Sequence, residues 1–174
     1  MNRAFFFDRD GIVNVLLDND YVKRIEEFVF VPQFFEIFNY AKKMDYLTFV
    51  ITNQQGIGKG VMNDEDVRIV HRWMQRRLLE YTGYQFDDIY YCGSLDAANS
   101  PRRKPASGMF FEAISQYGID PAKSFMIGDS LRDSQSAKGA GVNSILIGEF
   151  AKEDADYVFL DFHSFLLLMD KIVK

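Results

Sequence analysis

Five polar residues stand just after apolar runs or in the loop beyond one, and their types suit one kind of chemistry. Asp8 and Asp10 follow the run at 4–7, Thr52 the run at 47–51 and Asp129 the run at 124–128, while Lys104 lies in the loop after 88–92. Several carboxylates in one crevice are costly unless a cation sits among them. Hard oxygen ligands, few in number, with room for water and a phosphate oxygen, suit Mg²⁺. Thr52 and Lys104 would then hold phosphoryl oxygens opposite the metal. A carboxylate facing phosphorus can attack it and form an aspartyl phosphate. A second acid can protonate the leaving oxygen and later activate water.

Such a site needs distant segments to end at one edge, and the apolar pattern provides for that. Short runs at 4–7, 47–51, 88–92, 124–128, 143–148 and 156–160 read as strands. Between them lie amphipathic segments. Phe34, Ile37, Phe38 and Ala41 fall at helical spacing. Asn63 is placed to cap a long helix to about Thr82, with Asp64, Glu65 and Asp66 in its first turn and Gly83 as its stop. Ser107 is placed to cap a helix that Gly118 ends, another is expected near 131–140, and a last one from about Asp161. Strands alternating with helices predict an α/β fold, a doubly wound, mostly parallel sheet with helices on both faces. In such sheets ligands bind beyond the carboxyl ends of the strands, where the five residues fall. Residues 14–31 and 93–105 read as irregular.

The 174 residues fit a single domain spanning 1–174, without room for a large cap domain, so the site is expected to be fairly open. A net charge of −5 with no broad basic patch argues against a nucleic-acid partner. The dense basic cluster in a loop is Arg102-Arg103-Lys104. With Cys92 as the one cysteine, no intramolecular disulfide can form. No signal-peptide pattern or membrane-spanning run is visible, so the expectation is a soluble cytoplasmic protein. No long apolar stripe is left over, which predicts a monomer. The glycine-rich stretch at 56–60 fits neither the Walker nor the dinucleotide spacing and reads as a turn. His71, His163 and Cys92 read as structural, and Arg102 and Lys59 as solvated charges.

The motifs DRDG (8–11), TNQ (52–54), RKP (103–105) and GDSLRD (128–133) occur in an order that resembles the haloacid dehalogenase (HAD) superfamily of phosphotransferases. The closer resemblance is to its branch of D-glycero-D-manno-heptose 1,7-bisphosphate and histidinol-phosphate phosphatases, and it runs from about residue 5 to 147. The resemblance implies Asp8 as nucleophile and Asp10 as general acid and base. It implies Mg²⁺ held by Asp8, Asp129 and the backbone carbonyl of Asp10, with Asp133 ordering the loop. Thr52 and Lys104 would steady the phosphoryl group. Asp18, Tyr21, Asn53, Gln54, Gln55 and Arg103 would contact substrate, a phosphorylated sugar or related metabolite.

The chain departs from the branch pattern in three places. Many relatives fold the loop after the third strand around zinc held by three cysteines and a histidine. Here the loop offers one thiol and no histidine, so no zinc is expected. Ile12 replaces the usual threonine. Ser130 stands where the bisphosphatase pattern has a lysine, which removes a cation able to meet a second phosphate. The resemblance implies a phosphatase, with heptose bisphosphate as leading substrate and histidinol phosphate as runner-up. A catalytically weak binding protein is the competing reading.

Overall fold

The computed structural model describes residues 1–173. Its strands are β1 (Ala4–Phe7), β2 (Leu47–Asn53), β3 (Asp88–Cys92), β4 (Phe125–Gly128), β5 (Asn143–Ile147) and β6 (Tyr157–Phe159). The helices are α1 (Pro32–Lys43), α2 (Asp64–Thr82), α3 (Gly108–Tyr117), α4 (Leu131–Gly139), α5 (Phe162–Leu166) and α6 (Met169–Ile172). The strands form one sheet in the order β3-β2-β1-β4-β5-β6, and every pairing is parallel. This is the doubly wound α/β arrangement expected.

Alternation along β1 explains the two-sided core. Phe5 and Phe7 point to one face, where they meet Phe34 and Phe38 of α1, Met74 and Leu78 of α2 and Phe165 of α5. Phe6 points to the other, against Phe49, Met109 and Phe110. All three β1 rings are fully buried. Each contributes roughly 2–3 kcal/mol of burial, so the strand carrying the first two acids is firmly anchored.

The ends of α2 follow the chemistry of their caps, and the start of α3 does not. The Asn63 side chain accepts from Asp66 N, and Gly83 ends α2 in the left-handed region at φ 79°. Ser107 occupies the N-cap position of α3 but makes no capping bond. Its hydroxyl instead donates to the carbonyl of Ser136 at 2.7 Å and ties α3 to α4. The C-terminal helix expected from Asp161 is broken into α5 and α6. Among the described residues no helix is long and apolar enough to cross a membrane.

Candidate functional site

Register brings the acids together. Phe7 pairs with Val50 of β2 and with Ile127 of β4. Asp8 therefore emerges level with Ile51 and Gly128, and Thr52 and Asp129 lie one step further out. The order of connections reverses between β1 and β4, so the loops after them part and open a crevice. A cavity of about 330 Å³ sits there, lined among others by Asp8, Asp10, Tyr21, Thr52, Asn53, Lys104, Asp129 and Arg132.

Two glycines make the close approach possible. Gly11 has φ +93°, and a Cβ there would stand 1.9 Å from Asp129 Oδ2. A Cβ on Gly128 would stand 2.3 Å from the Cβ of Asp133. Neither position tolerates a side chain without moving an acid.

Lys104 is 2% exposed and lies amid carboxylates. Its Nζ is 2.9 Å from Asp8 Oδ1, pairs with Asp133 Oδ1 and donates to the carbonyl of Ile51 at 2.8 Å. The Asn53 amide fixes its backbone by donating to the Lys104 carbonyl and accepting from its N–H, both at 3.0 Å. Burial alone would lower the Lys104 pKa, but Asp133 and Asp8 outweigh it, hold it above the ordinary lysine value and keep it charged. Asp133 caps α4 through Ser130 N and Oγ, at 3.0 and 2.8 Å. Its oxygens are thus already taken by Ser130 and Lys104, in keeping with an ordering part.

Burial pushes the Asp8 carboxyl up to about 8; Lys104 opposes this, while the charges of Asp133 and Asp129 add to it. Burial also raises Asp129 to about 6, with Asp133 adding to the rise. Carboxylate oxygens of Asp8, Asp129 and Asp133 all lie within 4.8 Å of one another. Asp8 and Asp129, crowded oxygen donors whose ionisation is penalised without a cation, fit Mg²⁺.

Asp10 is held differently. Arg9, not among the residues expected at the site, folds back so that Nη2 donates to both Asp10 oxygens at 2.9 Å. Asn14 Nδ2 donates to Asp10 Oδ1 at 3.0 Å and Gln54 Nε2 to Oδ2 at 2.8 Å. Burial would raise the Asp10 pKa, but Arg9 and these hydrogen bonds outweigh it and hold it below the usual carboxylate value.

His71, read from sequence as structural, is buried with Nε2 3.1 Å from Arg9 Nη1. Burial lowers its pKa from the ordinary 6.5 to about 3, and the Arg9 charge adds to the drop. Between those values the unfolded chain binds a proton that the folded chain refuses. This contribution to stability is whole above pH 6.5 and is lost as pH falls towards 3. His71→Gln is expected to flatten that acid limb in urea unfolding; an unchanged slope would count against a neutral buried His71.

Several expected substrate contacts lie elsewhere. Of the six, Tyr21 and Asn53 line the cavity, and Asp18, Gln54, Gln55 and Arg103 do not. Gln54 is fully buried and bridges Asp10 to Thr52 Oγ1 at 3.0 Å. Arg103 donates within its loop to Asp96 Oδ1 at 3.1 Å and the Ser94 carbonyl at 3.0 Å, and outside it to Gln55 Oε1 at 2.5 Å. Arg102, expected to be solvated, pairs with Glu112 at 2.8 Å. The Lys59 ammonium lies 5.3 Å from the Tyr21 ring centroid. Asp20, between the expected contacts Asp18 and Tyr21, lines the cavity, and so does Arg132, which was not among the expected contacts.

A family model described as HAD-hydrolase-like matches residues 101–162. A D-glycero-beta-D-manno-heptose-1,7-bisphosphate 7-phosphatase of Pasteurella multocida is 36% identical over 171 residues, covering 91% of each chain. The chain belongs to the HAD-like phosphatase family. Another member, a D-glycero-alpha-D-manno-heptose-1,7-bisphosphate 7-phosphatase of Burkholderia mallei, is 36% identical over 84% of this chain and 79% of its own. Among solved family structures, the D,D-heptose 1.7-bisphosphate phosphatase from B. bronchiseptica, complexed with magnesium and phosphate, superposes with a TM-score of 0.84. It is 26% identical and covers 98% of this chain and 99% of its own.

Proposed function

We propose that this HAD-like phosphatase is Mg²⁺-dependent and removes the 7-phosphate of D-glycero-D-manno-heptose 1,7-bisphosphate. The observation that carries the reading is the Asp8–Lys104–Asp133 cluster beside Asp129, of which Asp8, Lys104 and Asp129 line the cavity. Relatives named for this reaction, matched over 79–91% of their length, support the substrate.

Asp8 attacks phosphorus, the ester P–O bond breaks, and the departing sugar oxygen takes a proton from Asp10. Water then loses a proton to Asp10 and attacks the same phosphorus, releasing phosphate and restoring Asp8. Asp10 rests as a carboxylate; the incoming phosphate, a like charge, raises its pKa and favours its protonated form. Lys104 and Thr52 hold the phosphoryl oxygens, and Lys104 offsets their negative charge. Asp8, Asp129 and the Asp10 carbonyl would hold Mg²⁺, which supplies further positive charge at the phosphoryl oxygens. Arg103 braces the loop at 93–105 through Asp96 and the Ser94 carbonyl and ties it to Gln55.

Arg132 supports a second phosphate. It lines the cavity, and no described residue pairs with its guanidinium. It stands two residues beyond Ser130 and can supply the cation that the serine lacks. Arg132→Ala is expected to raise KM for the bisphosphate about tenfold and leave hexose monophosphates within about twofold. Equal changes for both would rule out Arg132 as the contact for a second phosphate.

The deciding experiment is phosphate release with Mg²⁺ across both anomers of heptose 1,7-bisphosphate, histidinol phosphate and several hexose phosphates. A preference for one heptose anomer, abolished by chelator, is the expected result. Histidinol phosphate as the best substrate would replace the proposal, and no turnover would favour a binding protein.

A further inference from the structure

A buried guanidinium needs an acceptor for its donors. Arg9 is wholly buried between the two acids at the end of β1. Its Nε and Nη2 are used by Asp10, at 3.3 Å and 2.9 Å to Oδ1, with a second Nη2 contact of 2.9 Å to Oδ2. This side-on pairing fixes the plane of a carboxylate. Nη1 faces the other way and meets His71 Nε2 at 3.1 Å. Arginine only donates, so Nε2 accepts and the imidazole is neutral. The ring is itself held, 6% exposed and edge-on to Tyr91 with centroids 5.5 Å apart.

We propose that His71 is a positioning residue for Asp10. By accepting from Arg9 Nη1 it fixes the guanidinium, whose opposite edge aims the Asp10 carboxylate into the cavity. Asn14 and Gln54 hold Asp10 from the loop after β1 and the end of β2; His71 holds Arg9, and through it Asp10, from α2, 62 residues from Arg9 in sequence. Without that acceptor, Nη1 is left as an unmatched buried donor. Any turn of Arg9 towards another acceptor would carry the Asp10 contact with it.

The inference rests on Asp10 being the general acid and base, and its test separates the two claims. It compares kcat/KM for p-nitrophenyl phosphate with that for the sugar phosphate turned over fastest in the panel. This parameter covers the steps up to transfer onto Asp8. The sugar leaves as an alkoxide and needs the proton; nitrophenolate leaves well without it. His71→Leu is expected to lower the sugar-phosphate value on the order of tenfold more than the aryl value, part of the 10²–10⁴ that acid–base catalysis supplies. His71→Gln, which returns an acceptor oxygen near the place of Nε2, is expected to restore most of the ratio. The ratio is taken within one preparation, so a reduced folded fraction cancels. Equal losses on both substrates in His71→Leu, or no restoration in His71→Gln, would overturn the proposal if Asp10→Asn still shows the split. Equal losses in Asp10→Asn as well would overturn the role of Asp10 and this inference with it.

Discussion

Asp8→Asn is expected to lower kcat by at least about 10⁴-fold while leaving the protein as stable as before, or more so. The amide keeps the shape of the side chain but is a very poor nucleophile. Stability does not follow activity because burial, with Asp133 and Asp129 adding to it, already penalises the Asp8 charge in the metal-free protein. Removing that charge relieves the repulsion, and Lys104 keeps Asp133 as its partner. Phosphate release and thermal melting without metal check the two halves. A variant within tenfold of the parent would mean that another group attacks.

Lys104→Met should fail on both counts. The methionine fills similar space without charge, so Asp8 and Asp133 lose the cation they share and the Ile51 carbonyl loses a donor. Breaking a buried ion pair from one side typically costs about 3–5 kcal/mol. Transition-state stabilisation lost with the ammonium is worth a further 10²–10³ or so in kcat. The expected result is a clear fall in melting temperature together with the loss of turnover. Normal stability with the same loss of activity would mean that the cluster is not held together by Lys104.

The contrast between these variants follows from features legible to different degrees in the sequence. Strand ends, the two-sided core and most helix caps could be read directly, because apolar period and cap chemistry are local. The convergence of Asp8, Thr52, Lys104 and Asp129 followed from parallel strands sharing one edge. What the sequence hid were side-chain directions over longer reach. Arg103 lies beside Lys104 but turns away from the cavity, donating to Asp96 and Ser94 of its own loop and to Gln55 after β2. Arg132 reads as one more polar residue of α4 until β1 and β4 part and leave it facing the cavity. Arg9, flanked by two acids, gave no sign that it would fold back wholly buried, or that a histidine on α2 would complete its hydrogen bonds. Such contacts depend on how α2 lies against the sheet, which periodicity does not encode.

The central claim is that phosphate passes through Asp8, and trapping it there is the most direct test. Asp10→Asn should still accept phosphate from an aryl phosphate but release it slowly, for want of a base to activate water. Acid-quenched mass spectrometry of that variant with p-nitrophenyl phosphate and Mg²⁺ is predicted to find one phosphoryl group on the peptide carrying Asp8. A phosphoryl group on any other residue, or phosphate released while the Asp8 peptide stays unmodified, would contradict the account.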